Sequence, residues 1–209
     1  DVNGYERSEN EGGIPKYHIT AEHAKTFSDN HQELENVNLE TFDKDGNQDN
    51  KMYADKALFI PEEEKNFTAY MNGNVRIETR DDLRIKTNNM VFTKRSELVE
   101  ADELVEFERN GLRGKAFGAN VRLGDKAVDL LKDVEFEAFD SPELAKANIR
   151  YAKINSGSAS IDLANNKLSL NENVTINIAS NSKGKAQNTD VRANRAAVNF
   201  TAGGEGTNK

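Results

Sequence analysis

Apolar residues recur two apart at five places along the chain: Val37/Leu39, Val75/Ile77, Val105/Phe107, Val134/Phe136 and Val174/Ile176. Between them stand Asn38, Arg76, Glu106, Glu135 and Thr175. Period-two alternation marks a strand with one buried face and one wet face. Three of the five share a fuller phrase, YMNGNVRIE (70–78), LLKDVEFEA (130–138) and LNENVTINI (170–178). The first of these carries Asn-Gly-Asn turn chemistry ahead of its apolar pair.

A second element precedes each pair. It opens with two small or medium residues three apart and adds a position two further on. The copies are Ala21/Ala24/Thr26, Ala54/Ala57/Phe59, Thr87/Met90/Phe92, Ala116/Ala119/Val121, Ser156/Ala159/Ile161 and Ala193/Ala196/Val198. Their starts follow one another at 33, 33, 29, 40 and 37 residues. The two elements stay in step five times, so the repeat is real although degenerate. Residues three apart point to opposite faces of a regular strand. Small residues there predict a bulge or corner where the chain passes between sheets.

Turn-forming stretches fill the gaps: Asp43-Lys44-Asp45-Gly46-Asn47, Pro61 to Asn66, Arg109-Asn110-Gly111 and Ala164 to Lys167. Helical periodicity is almost absent. A ~33-residue unit is expected to hold about three strands, giving about 15 in all. A flat sheet of that size is improbable. The predicted fold is therefore all-β, an elongated twisted jellyroll of two facing antiparallel sheets. Its predicted sections are a flexible arm at 1–16, a first section at 17–139, a continuing section at 140–201 and a flexible tail at 202–209. Ser141-Pro142 followed by helix formers predicts an inserted helical turn inside the longest spacing. The last repeat stops near Phe200. Open edges that accept a strand from another chain are expected at both ends. Tyr17, Ile19 and Ala21 are expected at the first edge, and Val191, Ala193 and Val198 at the second.

Composition narrows the partners. The net charge of −8 and pI near 5.1 argue against a nucleic-acid backbone. With no Cys there is no disulfide framework and no thiolate site. No apolar run reaches the ~18 residues of a membrane span. The chain starts at Asp1, which leads to the expectation of a trimmed product whose leader or anchor lies upstream.

Catalytic chemistry is not visible. The Asp43–Asp49 run has Gln48 and Ala54 where a calcium loop needs Gly and Glu, so a hairpin turn around Asp45-Gly46 is the reading. His18, His23 and His31 form no metal pair, and acidic pairs such as Asp81/Asp82 lie in loops. There is no nucleophile elbow, P-loop or dinucleotide fingerprint. The reading is a non-enzyme with no cofactor and no metal.

Several segments then follow in a telling order: Lys16-Tyr17-His18-Ile19-Thr20-Ala21-Glu22-His23-Ala24, Leu34-Glu35-Asn36-Val37, Tyr53-Ala54-Asp55-Lys56-Ala57 and Gly73-Asn74-Val75. Leu83-Arg84-Ile85-Lys86-Thr87 and Gly114-Lys115-Ala116-Phe117-Gly118 come next. The series resembles the periplasmic region of LptC, the lipopolysaccharide-export protein, and the related OstA/LptA-type jellyrolls. It covers roughly Tyr17 to Phe139, and the later part looks like OstA-style continuation. The resemblance implies a periplasmic location, often with an N-terminal inner-membrane helix. It implies lipopolysaccharide or a similar lipid as cargo. The implied partners are other Lpt jellyrolls, namely permease periplasmic domains and an LptA-like bridge, with end-to-end self-association also in view.

An apolar trough suits that cargo. Exposing a twelve-carbon acyl chain to water costs on the order of 9 kcal/mol, at ~0.8 kcal/mol per CH₂. The candidate lining is Phe59, Val75, Ile77, Phe92, Val105, Phe107, Val121, Val134, Phe136, Ile161, Val174 and Ile176. Arg76, Arg84, Lys86 and Arg113 are candidate phosphate contacts at the rim. The bland alternative is that the apolar residues merely pack a closed core. In that case the chain is a structural or adhesive β-repeat protein with no lipid cargo. A β-solenoid enzyme would need acids clustered on one face, and these are scattered.

Overall fold

Apart from one interrupted strand line near the far end, each strand pairs antiparallel with its neighbours in sequence, so the chain meanders from one end of a single sheet to the other. The computed structural model describes residues 1–80, 82–109, 111–139, 142–146, 148–182 and 185–199. The strands are β1 (Val2–Glu11), β2 (Ile14–Thr26), β3 (Gln32–Phe42), β4 (Gln48–Pro61), β5 (Phe67–Thr79), β6 (Arg84–Thr93) and β7 (Leu98–Arg109). They continue with β8 (Leu112–Arg122), β9 (Ala127–Phe139), β10 (Ile149–Ser156), β11 (Ser158–Asp162), β12 (Lys167–Ser182) and β13 (Lys185–Asn199). β10 and β11 form one line broken at Gly157, since both pair with β9 on one side and β12 on the other. The helical turn predicted after Phe139 is α1 (Pro142–Lys146).

Nearly every strand bends in its middle, and the bend makes the two facing layers. In β2 and β4 the alternation breaks into buried, exposed, exposed, buried over Ala21–Ala24 and Ala54–Ala57. Both members of each small pair therefore face inward, as a corner requires. The ladders slip or pause at the same level, between Tyr53 and Lys56, between Asn72 and Val75 and between Ala101 and Leu104. The residue just before the inward Val turns left-handed in four of the five repeats: Asn36 (φ 52), Asn74 (φ 48), Asp133 (φ 50) and Asn173 (φ 51). Asn and Asp tolerate that region far better than other side chains. In the remaining repeat Leu104 precedes Val105, and the register shift takes over the bend.

These bends correct the strand count per repeat. Each unit holds two long strands rather than three. A bend splits a 13-residue strand into two short apolar stretches, and each half reads as a strand of its own. Asn72-Gly73-Asn74 accordingly lies inside β5 and does not end it.

The expected flexible arm is also corrected. Residues 2–11 form β1, in register with β2 from Val2↔Ala24 to Glu11↔Ile14 across a Gly12-Gly13 turn. The expected tail at 202–209 lies outside the described residues. At the 139/140 boundary the sheet runs on without a break, with Phe136↔Ile154 and Glu137↔Lys153 among the register pairs.

Call the half-strands that include Tyr17, Ile77 and Phe107 one leaf, and those that include Phe59, Phe92 and Val99 the other. One hydrophobic cluster fills the space between them, from Tyr17 and Ile19 in β2 to Leu170 and Val174 in β12.

Candidate functional site

All twelve residues predicted to line an interior face this one cluster. Phe59, Val75, Ile77, Phe92, Val105, Val134, Phe136 and Val174 are buried, and Phe107, Val121, Ile161 and Ile176 pack against them half-buried. Five of the twelve (Ile77, Val105, Phe107, Val121 and Ile161) line a cavity of about 40 Å³ between the leaves. Leu83, Ile85, Met90, Val99, Ala101, Ala119, Val128 and Leu130 complete its wall, with Thr87 alone carrying a polar atom. None of these nine belongs to the predicted lining, which rests on the Val-x-apolar pairs and on the last position of the element that precedes them. Val99 and Ala101 alternate in the first half of β7 and were legible by the same rule.

The volume matters. A cavity of about 40 Å³ holds one or two waters, whereas ligand pockets run to roughly 300 Å³ or more. The leaves are in contact, so an acyl chain enters only if they part. One contact between them is aromatic. Phe67 is fully buried, with its ring centre 4.6 Å from Phe59, 4.9 Å from Tyr17 across the gap and 5.7 Å from Phe92. A second pair, Phe107 and Phe136, meets edge-on at 5.4 Å. Gly114 lies between these two in register, and the Phe107 ring occupies the place where a side chain at 114 would stand.

The outside of the first leaf is charged. Arg84, Lys86, Glu106, Glu108, Arg113, Lys115, Glu135 and Glu137 border a shallow groove of about 500 Å³. Arg113 binds Glu137 at 2.7 Å, Lys115 binds Glu135 at 3.2 Å, and Lys153 reaches Glu135 at 3.0 Å. Hydrogen bonds from Lys153 and Lys115 hold the Glu135 carboxyl below its ordinary pKa. Those from Arg113 and Tyr151 do the same for Glu137. Of the predicted phosphate contacts, Arg113 is thus committed to a carboxylate, and Arg76 lies over the Tyr53 ring at 5.5 Å.

The predicted edge residues separate. Tyr17, Ile19 and Ala21 are buried in β2, which has β1 on one side and β3 on the other, so they are interior residues and not an edge. Val191, Ala193 and Val198 do lie on a terminal strand. β13 pairs only with β12 among the described residues, and Val191 is exposed.

The remaining polar motifs settle into local structure. Asp43 accepts backbone hydrogen bonds from Asp45 and Asn47, both at 2.9 Å, and pairs with Arg80. It serves a hairpin turn in which Gly46 has φ 82. His18 meets Ser8, His23 meets Asn3 and His31 meets Asp29, three separate contacts. Among the described residues no cluster of His, Asp or Glu is arranged to hold a metal ion, and no helix is long and apolar enough to cross a membrane.

Residues 5–137 match the family described as lipopolysaccharide-assembly, LptC-related. That is more than half of the 209 residues. The chain belongs to the LptC-related family. No curated protein gives a significant match. Membership carries a role in lipopolysaccharide assembly and transport, in a family that is generally non-enzymatic and typically periplasmic. The match includes β1 from Tyr5 onward, so most of the first strand lies inside the LptC-related region. Strands β10 to β13 lie beyond the matched residues and continue the same sheet.

Proposed function

We propose that this protein is a periplasmic component of lipopolysaccharide export that takes acyl chains between its two leaves. The observation that carries the reading is the unbroken apolar cluster spanning β2 to β12, with a cavity wall that is apolar apart from Thr87. Parting the leaves by a few ångströms would turn that cluster into a trough, and the acyl chain would replace leaf-to-leaf contacts of similar energy. Sugars and phosphates would stay in water outside. In this reading the protein forms part of the bridge from an inner-membrane ABC transporter toward the outer membrane. It is anchored by a helix upstream of Asp1, and permease periplasmic domains and an LptA-like jellyroll are its neighbours. The edge of β13 away from β12, with Val191, Ala193 and Val198 on that strand and unpaired among the described residues, is where strand pairing with the next jellyroll would occur.

Photocrosslinking amino acids at Ile77, Phe92 and Phe107 test the reading. The first and third line the cavity and the second sits in the aromatic contact. Capture of lipopolysaccharide at one or more of them during active transport is the expected result. The close leaf contact favours one other reading, a structural β-repeat protein with a sealed interior. That reading predicts capture at none of the three and self-assembly without any transporter.

A further inference from the structure

The terminal strand β1 breaks the pattern of the strands beyond it. Its half-buried positions are Tyr5, Arg7 and Glu9, where β2 to β5 turn Ala, Ile, Leu, Val, Met or Phe inward, joined by Tyr17 and Asn50. Of these, Tyr5 is the one that brings a hydrophobic side chain to the cluster. A strand with this inner face contributes little hydrophobic energy to its own docking.

The polar groups are placed at the end of the interior and cross from leaf to leaf. Arg7, opposite Ile19 on the first leaf, has its guanidinium 5.1 Å from the ring centre of Phe59 on the other. Lys94 leaves the turn after β6 on that other leaf, and its ammonium stands 4.6 Å over the Tyr17 ring and 5.9 Å from Phe67. Burial lowers the Lys94 pKa, while the carboxylates of Glu9 and Glu11 on β1 pull it back up. The aromatic contact that holds the leaves together is thus roofed by two cations, and β1 supplies one of them along with the acids that steady the other.

We propose that β1 is a releasable cap: with Arg7 and Glu9 it closes the β1 end of the apolar interior, and its departure from β2 opens that end to acyl chains. The proposal rests on the interior lipid path proposed above. Release uncovers Phe59 and Tyr17, removes the carboxylates from Lys94 and bares the edge of β2. The backbone ladders of β3 to β12 keep their hydrogen bonds, and the bond that the Tyr5 hydroxyl donates to Gln32 Oε1 at 2.7 Å is given up.

Ser8 and His18 face each other in register on the exposed side, 2.8 Å apart at Oγ and Nδ1. The chain has no cysteine, so S8C/H18C gives a clean disulfide that locks β1 to β2. N177C/D190C, a register pair between β12 and β13, serves as the control lock. In cells exporting lipopolysaccharide, oxidising S8C/H18C is expected to lower capture by a photoprobe at Ile77 by about tenfold, reversibly on reduction. The control lock is expected to leave it unchanged. Equal capture with β1 locked and unlocked overturns the proposal, as does an equal loss with the control lock. Hydrogen exchange on the purified wild-type protein reads release without any lipid. The β1–β2 ladder amides are expected to exchange roughly a hundredfold faster than those between β4 and β5. Exchange at the same rate also overturns the proposal. Absence of capture in every redox state, with fast β1 exchange, counts against the interior path and leaves the release standing.

Discussion

The Asn74 side-chain amide donates to Asp55 Oδ2 at 2.7 Å, joining the bend of β5 to the bend of β4. Asn36 makes the same kind of bond to Glu22 between β3 and β2. The bends are therefore tied to one another along the corner of the molecule.

At this corner Gly73 has φ +78, and a Cβ there would lie 2.7 Å from Asp55 Oδ2. Gly73→Ala is expected to lower stability by about 1–3 kcal/mol, from the left-handed backbone and the contact together. Asn74→Val should cost about 1–2 kcal/mol, while Asn74→Gly should stay within about 0.5 kcal/mol of wild type. Urea midpoints at constant slope would measure all three. Equal losses for Val and Gly at position 74 would show that the hydrogen bond, rather than the backbone, decides.

Phe67 is fully buried and touches three other rings. Phe67→Ala is expected to cost about 3–5 kcal/mol, more than any of the corner changes. Phe67→Leu should recover most of that. Thermal or urea unfolding reads the difference. A loss below about 1 kcal/mol for the alanine variant would mean that the leaves close up behind the missing ring.

Gly114 is packed for a different reason. A Cβ there would overlap the Phe107 ring and approach the Glu135 carbonyl oxygen at 2.6 Å. Gly114→Ala is expected to destabilise by about 1–3 kcal/mol. Adding Phe107→Leu should recover only part of it, because the backbone contact remains. A double-mutant cycle separates the two.

The charged ladder on β8, β9 and β10 makes stability depend on pH. Glu135 and Glu137 have folded-state pKa values below their ordinary 4.5. Their contribution is complete above that value and is lost as pH falls through the depressed folded values. Urea midpoints taken from pH 7 down to pH 3 should fall below about pH 4.5. The E135Q/E137Q variant should show a shallower fall over the same range. Parallel curves would mean that other carboxylates dominate.

Much of this was legible in the chain. Val75 and Ile77 announce a strand by their spacing, and the Ala-x-x-Ala pairs announce a corner by breaking that spacing. The family was legible in the order of short segments such as Gly73-Asn74-Val75. Two things were hidden. Asn-Gly-Asn has the same chemistry whether it ends a strand or bends one, so local sequence could not say that β5 continues through it. β1 offers no alternating apolar face, because Arg7 and Glu9 occupy its inward positions and Val2, its only aliphatic branched residue, is exposed. The candidate interior was visible as a set of apolar positions. That the two leaves touch depends on how side chains such as Tyr17 and Phe67 meet across the gap, which no single strand records.

Because the strand lines follow one another in sequence order, with β10 and β11 sharing one line, the molecule is divided like a ruler. Each two-strand unit advances the sheet by two inter-strand steps of about 4.8 Å, so its length is set by counting hairpins. Twelve strand lines, taking β10 and β11 as one, cover roughly 50 Å at that spacing. Adding or deleting a whole unit between equivalent bends would change the reach by roughly 10 Å while leaving each remaining ladder its own kind of partner. A protein built this way changes its length in whole units, so the number of repeats alone sets its reach.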